Sequence, residues 1–382
     1  MIGTMRDELE GRLKRSCRTA TIVVGMILIS ACSGTEAASG TPVVDRMTAD
    51  RPAPATDRIE VWICDVPADT TAAIYGDLPL RLPLDPATVA AQLSPRIEAY
   101  FSAVSHGQYA PIVVPGATVT MRTDETDVEC VDEALDRAGP DATVVLAVAT
   151  AEHVEGRPGG WGTPGSWLSC TGTCPARTTR RAASVGASDF SPDWGPVPLL
   201  DLIEHELGHT LGLPHSGIGA DGDYLSALDL MSNSAAPRDV DPGTLDGPDL
   251  LGINRLDLGW LPLADVVVAD GDSSLTLAPS TGPTGTRLLV LPVDEHRIVT
   301  VELLVPTGFD AHLPEPGIAV HLVDDSQGTD VLRSQEPQGS TPPHTDLLGT
   351  SDEFIVAGWR IEVRRVDPDG VRAEVAVSRT DR

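Results

Sequence analysis

Three histidines and two glutamates crowd the run Glu204-His205-Glu206-Leu207-Gly208-His209-Thr210-Leu211-Gly212-Leu213-Pro214-His215. On a helix, His205 and His209 lie about 40° apart and one turn along, so two imidazoles can face one metal ion. Glu206 follows the first of them by one position, roughly 100° around, which sets its carboxylate beside the open side of that ion without making it a ligand. Gly212 can take the positive φ that ends a helix and Pro214 keeps the helix from restarting, so the chain can turn back and deliver His215 as a third ligand. Three histidines leave a fourth position for water, the arrangement of a catalytic rather than a structural zinc site. The chemistry implied is hydrolysis, with zinc as Lewis acid and Glu206 taking a proton from water and passing it to a leaving amine.

The elements that must position these groups follow from periodicity. Leu199, Leu202, Ile203 and Leu207 repeat at helical spacing after Pro198, which predicts a helix starting there with one buried face. Upstream, a strand is expected over 58–64, a helix over 87–104, a strand near 112–121, a helix near 128–137 and a buried strand within 142–149. This alternation implies a mixed sheet with helices packed on it. From 155 to 198 the chain turns Gly-, Ser-, Thr- and Pro-rich and reads as one long irregular stretch. After Pro262, short alternating segments at 265–269, 274–277, 287–293, 298–305, 318–323, 354–366 and 371–377 suggest an all-β region, most simply a sandwich. The expected class is α+β, with a catalytic domain at 58–262 and a β-rich C-terminal domain at 263–382.

The chain has 382 residues, 41% of them hydrophobic, enough to build a core. Its formal net charge of −29 is the wrong sign for neutralising phosphates, which sets nucleic-acid binding aside. Lys14 is the only lysine, so Schiff-base and Ser-Lys chemistry are closed to everything after it.

Lys14 belongs to a basic segment before the apolar run 19–31, which is too short to span a bilayer but fits a signal peptide. It ends Leu28-Ile29-Ser30-Ala31-Cys32, which resembles the lipobox of bacterial lipoproteins. That resemblance implies cleavage after residue 31, lipid on Cys32 and attachment to the extracytoplasmic side of a membrane. Loss of 1–31 takes the net charge to −31, so attachment must come from acyl chains rather than a basic patch. Residues 32–57 read as a flexible tether. Four cysteines remain, and an oxidising compartment favours disulfides, with Cys64–Cys130 and Cys170–Cys174 preferred among three possible pairings.

The histidine run resembles the extended zinc motif of the metzincin metallopeptidases at every defined position. Metzincins also place a methionine turn beneath the zinc, and Met231 follows His215 by 16 residues. Tyr100 to Tyr109, Asp229-Leu230-Met231-Ser232, Leu258-Gly259-Trp260-Leu261, Val299 to Leu303 and Gly317 to Leu322 are similar to segments of the gametolysin-like and immune-inhibitor-A-like peptidases. The resemblance covers about 58–325 and implies a zinc endopeptidase acting on proteins or peptides. Two other classes compete with it: a surface adhesin or binding lipoprotein that keeps the fold, and a zinc hydrolase of a non-protein envelope amide. Asp221, Asp223, Asp239, Asp241, Asp246 and Asp249 offer hard oxygen donors on sharp turns, as calcium prefers. Their spacing matches no EF-hand loop, and a solvated acidic surface is the expectation.

Overall fold

The computed structural model describes residues 41–48, 55–75, 80–152, 159–164, 181–217, 224–326, 332–334 and 345–380. Cys32, Cys170, Cys174, Asp221 and Asp223 lie outside these residues. Residues 37–382 form one compact unit of mixed α and β structure.

A short helix α1 (Pro42–Thr48) precedes β1 (Arg58–Asp65), α2 (Pro86–Val104), β2 (Ile112–Thr120), α3 (Asp127–Arg137), β3 (Val144–Ala149), β4 (Gly160–Thr163) and β5 (Arg181–Val185). The five strands form one sheet in the order β2-β1-β3-β5-β4, parallel except for β4, which runs antiparallel at the edge. Both faces are apolar because side chains alternate across a strand. Ile59, Val61, Ile63, Val144, Leu146 and Val148 face α2, whereas Trp62, Cys64, Val145 and Ala147 face α3. Asp85 caps α2 and a Thr126–Glu129 capping box starts α3. Cys64 and Cys130 are bonded, with Cα atoms 6.1 Å apart, tying β1 to α3 as the sequence predicted.

α4 (Asp201–Thr210) packs on the α2 face against β4 and β5. It begins three residues later than Pro198 suggested, because Leu199 N–H is bonded to Asp189 and those of Leu200 and Asp201 to Leu245 O. α5 (Ala236–Val240) and α6 (Gly252–Asp257) follow. The remaining strands are β6 (Val266–Val268), β7 (Ser273–Leu277), β8 (Leu288–Pro292), β9 (Arg297–Leu304), β10 (Gly317–Asp324), β11 (Leu332–Ser334), β12 (Glu353–Val356), β13 (Trp359–Val366) and β14 (Ala373–Arg379). They make two sheets, β11-β10-β9-β8-β6 and β12-β13-β14-β7, whose facing side chains share one apolar cluster including Leu289, Val301, Trp359 and Val375.

Three expectations need correction. The stretch 155–198 contains β4 and β5, not only irregular chain. The segment 354–366 is two strands joined by a turn in which Ala357 and Gly358 take positive φ (46° and 82°). The tether reading of 32–57 fails for 41–48: Val43, Val44 and Met47 of α1 are buried with Leu228, Leu251, Leu256, Leu288, Val290 and Leu304. That cluster also crosses the expected boundary at 262, joining the two parts of the chain through the face of β8 and β9 turned away from the other sheet.

Candidate metal centre

His205 and His209 project from α4, and Gly212, at φ 94°, turns the chain so that His215 meets them. The three side chains bring ligand atoms within 4.8 Å of one another. The Nε2 of His209 lies 3.1 Å from that of His205 and 2.8 Å from that of His215. Metal–nitrogen bonds of about 2.0–2.1 Å in tetrahedral directions would hold such nitrogens roughly 3.3 Å apart, so the donor set suits an ion of that size.

Protonation of the rings is set by their other nitrogens. His205 Nδ1 lies 2.7 Å from Leu230 O and His209 Nδ1 2.7 Å from Leu213 O. A carbonyl only accepts, so each Nδ1 carries the proton and each Nε2 presents a lone pair to the centre. Burial and the neighbouring imidazoles hold His205 down to about 3 and His209 down to about 4, so both rings are neutral at neutral pH. Two lone pairs thus converge on the Nε2 of His215, and three ring nitrogens gathered this closely fit a cation.

Glu206 is buried, one carboxylate oxygen has no hydrogen-bond partner among the described residues, and burial pushes its carboxyl up to about 8. Two glycines on β4 let strand and helix come this close. A Cβ at Gly160 would sit 3.0 Å from Glu206 Oε1, and one at Gly162 would collide with the backbone of Glu206 and lie 2.7 Å from His209 Cβ. Beneath the helix, Met231 is fully buried, and a Cβ on Gly208 would lie 2.5 Å from its sulfur. The methionine turn also bonds to the ligand segments, since Met231 O accepts from Ser216 N–H at 2.8 Å and Leu230 O from His205. The start of α4 is fixed by an Asp201–Arg238 ion pair and by Gly247 N–H donating to Glu204.

One residue of the site was not foreseen. Tyr224, partly exposed and at φ 58°, places its phenol oxygen 3.1 Å from both ring nitrogens of His215. No spacing rule links a tyrosine nine positions after a histidine to a metal centre; the only signal available was an aromatic residue between the last ligand and Met231.

The acidic residues near the site are not gathered. Asp246 pairs with Arg96, Asp249 is buried against Arg255, and Asp241 accepts from Gly243 N–H. The three histidines are the one group suited to a metal among the described residues. Among the other histidines, His106 meets Arg287, His296 meets Asp325 and His312 meets Ala227 O. No helix among the described residues is long and apolar enough to cross a membrane. No protein-family model matches the chain, and no curated protein matches it.

Proposed function

We propose that this chain is a zinc-dependent endopeptidase of metzincin type, followed by a β-sandwich region and held by lipid on Cys32 to the extracytoplasmic side of a bacterial membrane. The carrying observation is the convergence of three histidine Nε2 atoms beside a buried carboxylate with one oxygen unpartnered among the described residues.

A zinc ion held by His205, His209 and His215 supplies Lewis acidity to a water molecule and to the scissile carbonyl. Glu206, buried beside the three histidines, accepts the proton of the attacking water and delivers it to the departing amine nitrogen. The Tyr224 phenol stands where it can donate a hydrogen bond to the carbonyl oxygen as that atom gains negative charge. A peptide substrate is favoured by β4, an edge strand beside Glu206 and His209 whose second side pairs with no strand among the described residues. An extended peptide can add to such an edge through main-chain hydrogen bonds. The lipid anchor rests on the Cys32 motif alone.

The test is hydrolysis of a mixed peptide library by residues 33–382, beside Glu206→Ala, each zinc-loaded and chelated. Cleavage by the unaltered protein alone, abolished by the chelator, is the expected result. Folded, zinc-loaded protein that cleaves nothing would count against the reading.

A further inference from the structure

The segment 227–255 carries Met231 and links two ligands, and residues of the C-terminal β region bind it directly. Asp310 accepts from Asp249 N–H at 3.0 Å and Glu302, on β9, accepts from Gly252 N–H at 2.8 Å. The ring of His312 lies 2.8 Å from Ala227 O through Nε2, and Ser280 bonds both Glu302 and Arg255. Inside the segment, Asp249 O accepts from Leu230 N–H at 3.1 Å, and Leu230 O receives the His205 Nδ1 proton. Asp229 gathers Leu251 N–H, the Asn254 amide and the Ser216 hydroxyl, and Ser216 follows His215 directly.

The polar cost of this arrangement is large. Asp229, Glu302, Asp310, Asn254 and Arg255 are at most 1% exposed and Asp249 is 8% exposed. Three buried acidic groups, Asp249, Glu302 and Asp310, surround one guanidinium, which bonds Asp249, Ser280 and Val104 O. Apolar residues would bury the same joint more cheaply, so a buried polar network here calls for a role in fixing geometry.

We propose that Glu302 and Asp310, held with Arg255, are positioning residues of the metal centre. They fix the Leu230 carbonyl that orients His205 and, through Asp229 and Ser216, the approach of His215. The C-terminal β region is then part of the metal centre and not an appended binding module. The proposal rests on reading the triad as a metal site, and unaltered protein that binds neither zinc nor cobalt would refute that reading first.

The experiment uses the chain from residue 33 to its end with Asp310→Ala, Glu302→Ala and the milder Asp310→Asn, which keeps an acceptor oxygen for Asp249 N–H. A fourth variant, Val375→Ala on β14, loosens the far sheet as a stability control. Zinc affinity by chelator competition and the visible spectrum of the cobalt-loaded protein are read beside thermal unfolding. Expected is a loss of zinc affinity of about 10–100-fold and an altered cobalt spectrum for the two alanine variants. Asp310→Asn should recover most of the affinity, and Val375→Ala should lower the melting temperature with affinity unchanged. Alanine variants with unaltered affinity and spectrum would overturn the proposal. So would a Val375→Ala protein that loses as much affinity as they do. If an alanine variant does not fold, Ser280→Ala, which removes the hydroxyl bonded to both Glu302 and Arg255, takes its place: a loss of zinc affinity beyond that of Val375→Ala is expected, and unaltered affinity would overturn the proposal.

Discussion

Glu302 gives a prediction whose size follows from its surroundings. It is fully buried on β9, and desolvation, outweighing the Ser280, Gly252 and Arg255 contacts, raises its carboxyl from 4.5 to about 7. Below pH 4.5 the group is protonated whether the chain is folded or not, and it contributes no pH dependence. Between 4.5 and 7 the unfolded chain releases a proton that the folded chain retains, so stability falls as pH rises. Above 7 the loss is complete, and the two values correspond to about 3 kcal/mol. Glu302→Gln removes this dependence while keeping an oxygen for Gly252 N–H and the Ser280 hydroxyl. Its new NH2 replaces Oε1, an atom with no partner among the described residues, at a pH-independent cost of about 1–3 kcal/mol. The glutamine variant should therefore be the less stable protein at pH 4.5, and the gap should close or reverse by about 3 kcal/mol above pH 7. Urea unfolding of both proteins in excess chelator, at intervals from pH 4.5 to 8.5, measures this difference. Subtracting one protein from the other cancels Asp249, Asp310 and the remaining carboxylates to first order. A gap constant within about 0.5 kcal/mol over the range would refute a buried, proton-retaining Glu302.

Two further outcomes follow from the structure. Tyr224→Phe should lower kcat for peptide hydrolysis about 10–100-fold with zinc affinity and KM little changed, the mark of a donor used only as charge develops; equal kcat in the two proteins would remove the phenol from the mechanism. Opening the Cys64–Cys130 bridge by a double alanine substitution frees a loop of 66 residues in the unfolded chain, a loss of about 4 kcal/mol in the chain-entropy view. Equilibrium unfolding would show a cost well under about 1 kcal/mol if the bridge did little.

The grouping of the three histidines was legible because its signal is local. Ligand spacing follows the helical repeat, Gly212 has the freedom its turn needs, and the buried strands β1 and β3 are apolar runs too short and β-branched for helices. Local signals also misled. β4 is Gly-Trp-Gly-Thr, with no alternation to detect, since its glycines exist to admit α4. β5 is built from small residues buried on both faces, so Arg-Ala-Ala-Ser-Val resembles loop composition. α1 has seven residues, too few for a period, and its burial depends on partners more than 180 positions away. Charge was the least readable property. Asp249 has the composition of a solvated turn and is instead enclosed with Arg255, Asp310 and Glu302, a grouping that only the tertiary fold assembles.

α1 matters for how the protein can be handled and how it can fail. Val43, Val44 and Met47 fill a groove lined by Leu228, Leu251, Leu256, Leu288 and Val290, and Arg46 pins the helix to Asp325 and the Glu295 carbonyl. A chain begun at residue 58, where the first strand starts, would leave that groove open to water. Exposed aliphatic surface of this kind drives self-association. Shortened at the sequence-suggested boundary, the protein would be expected to lose solubility before it lost its histidine cluster.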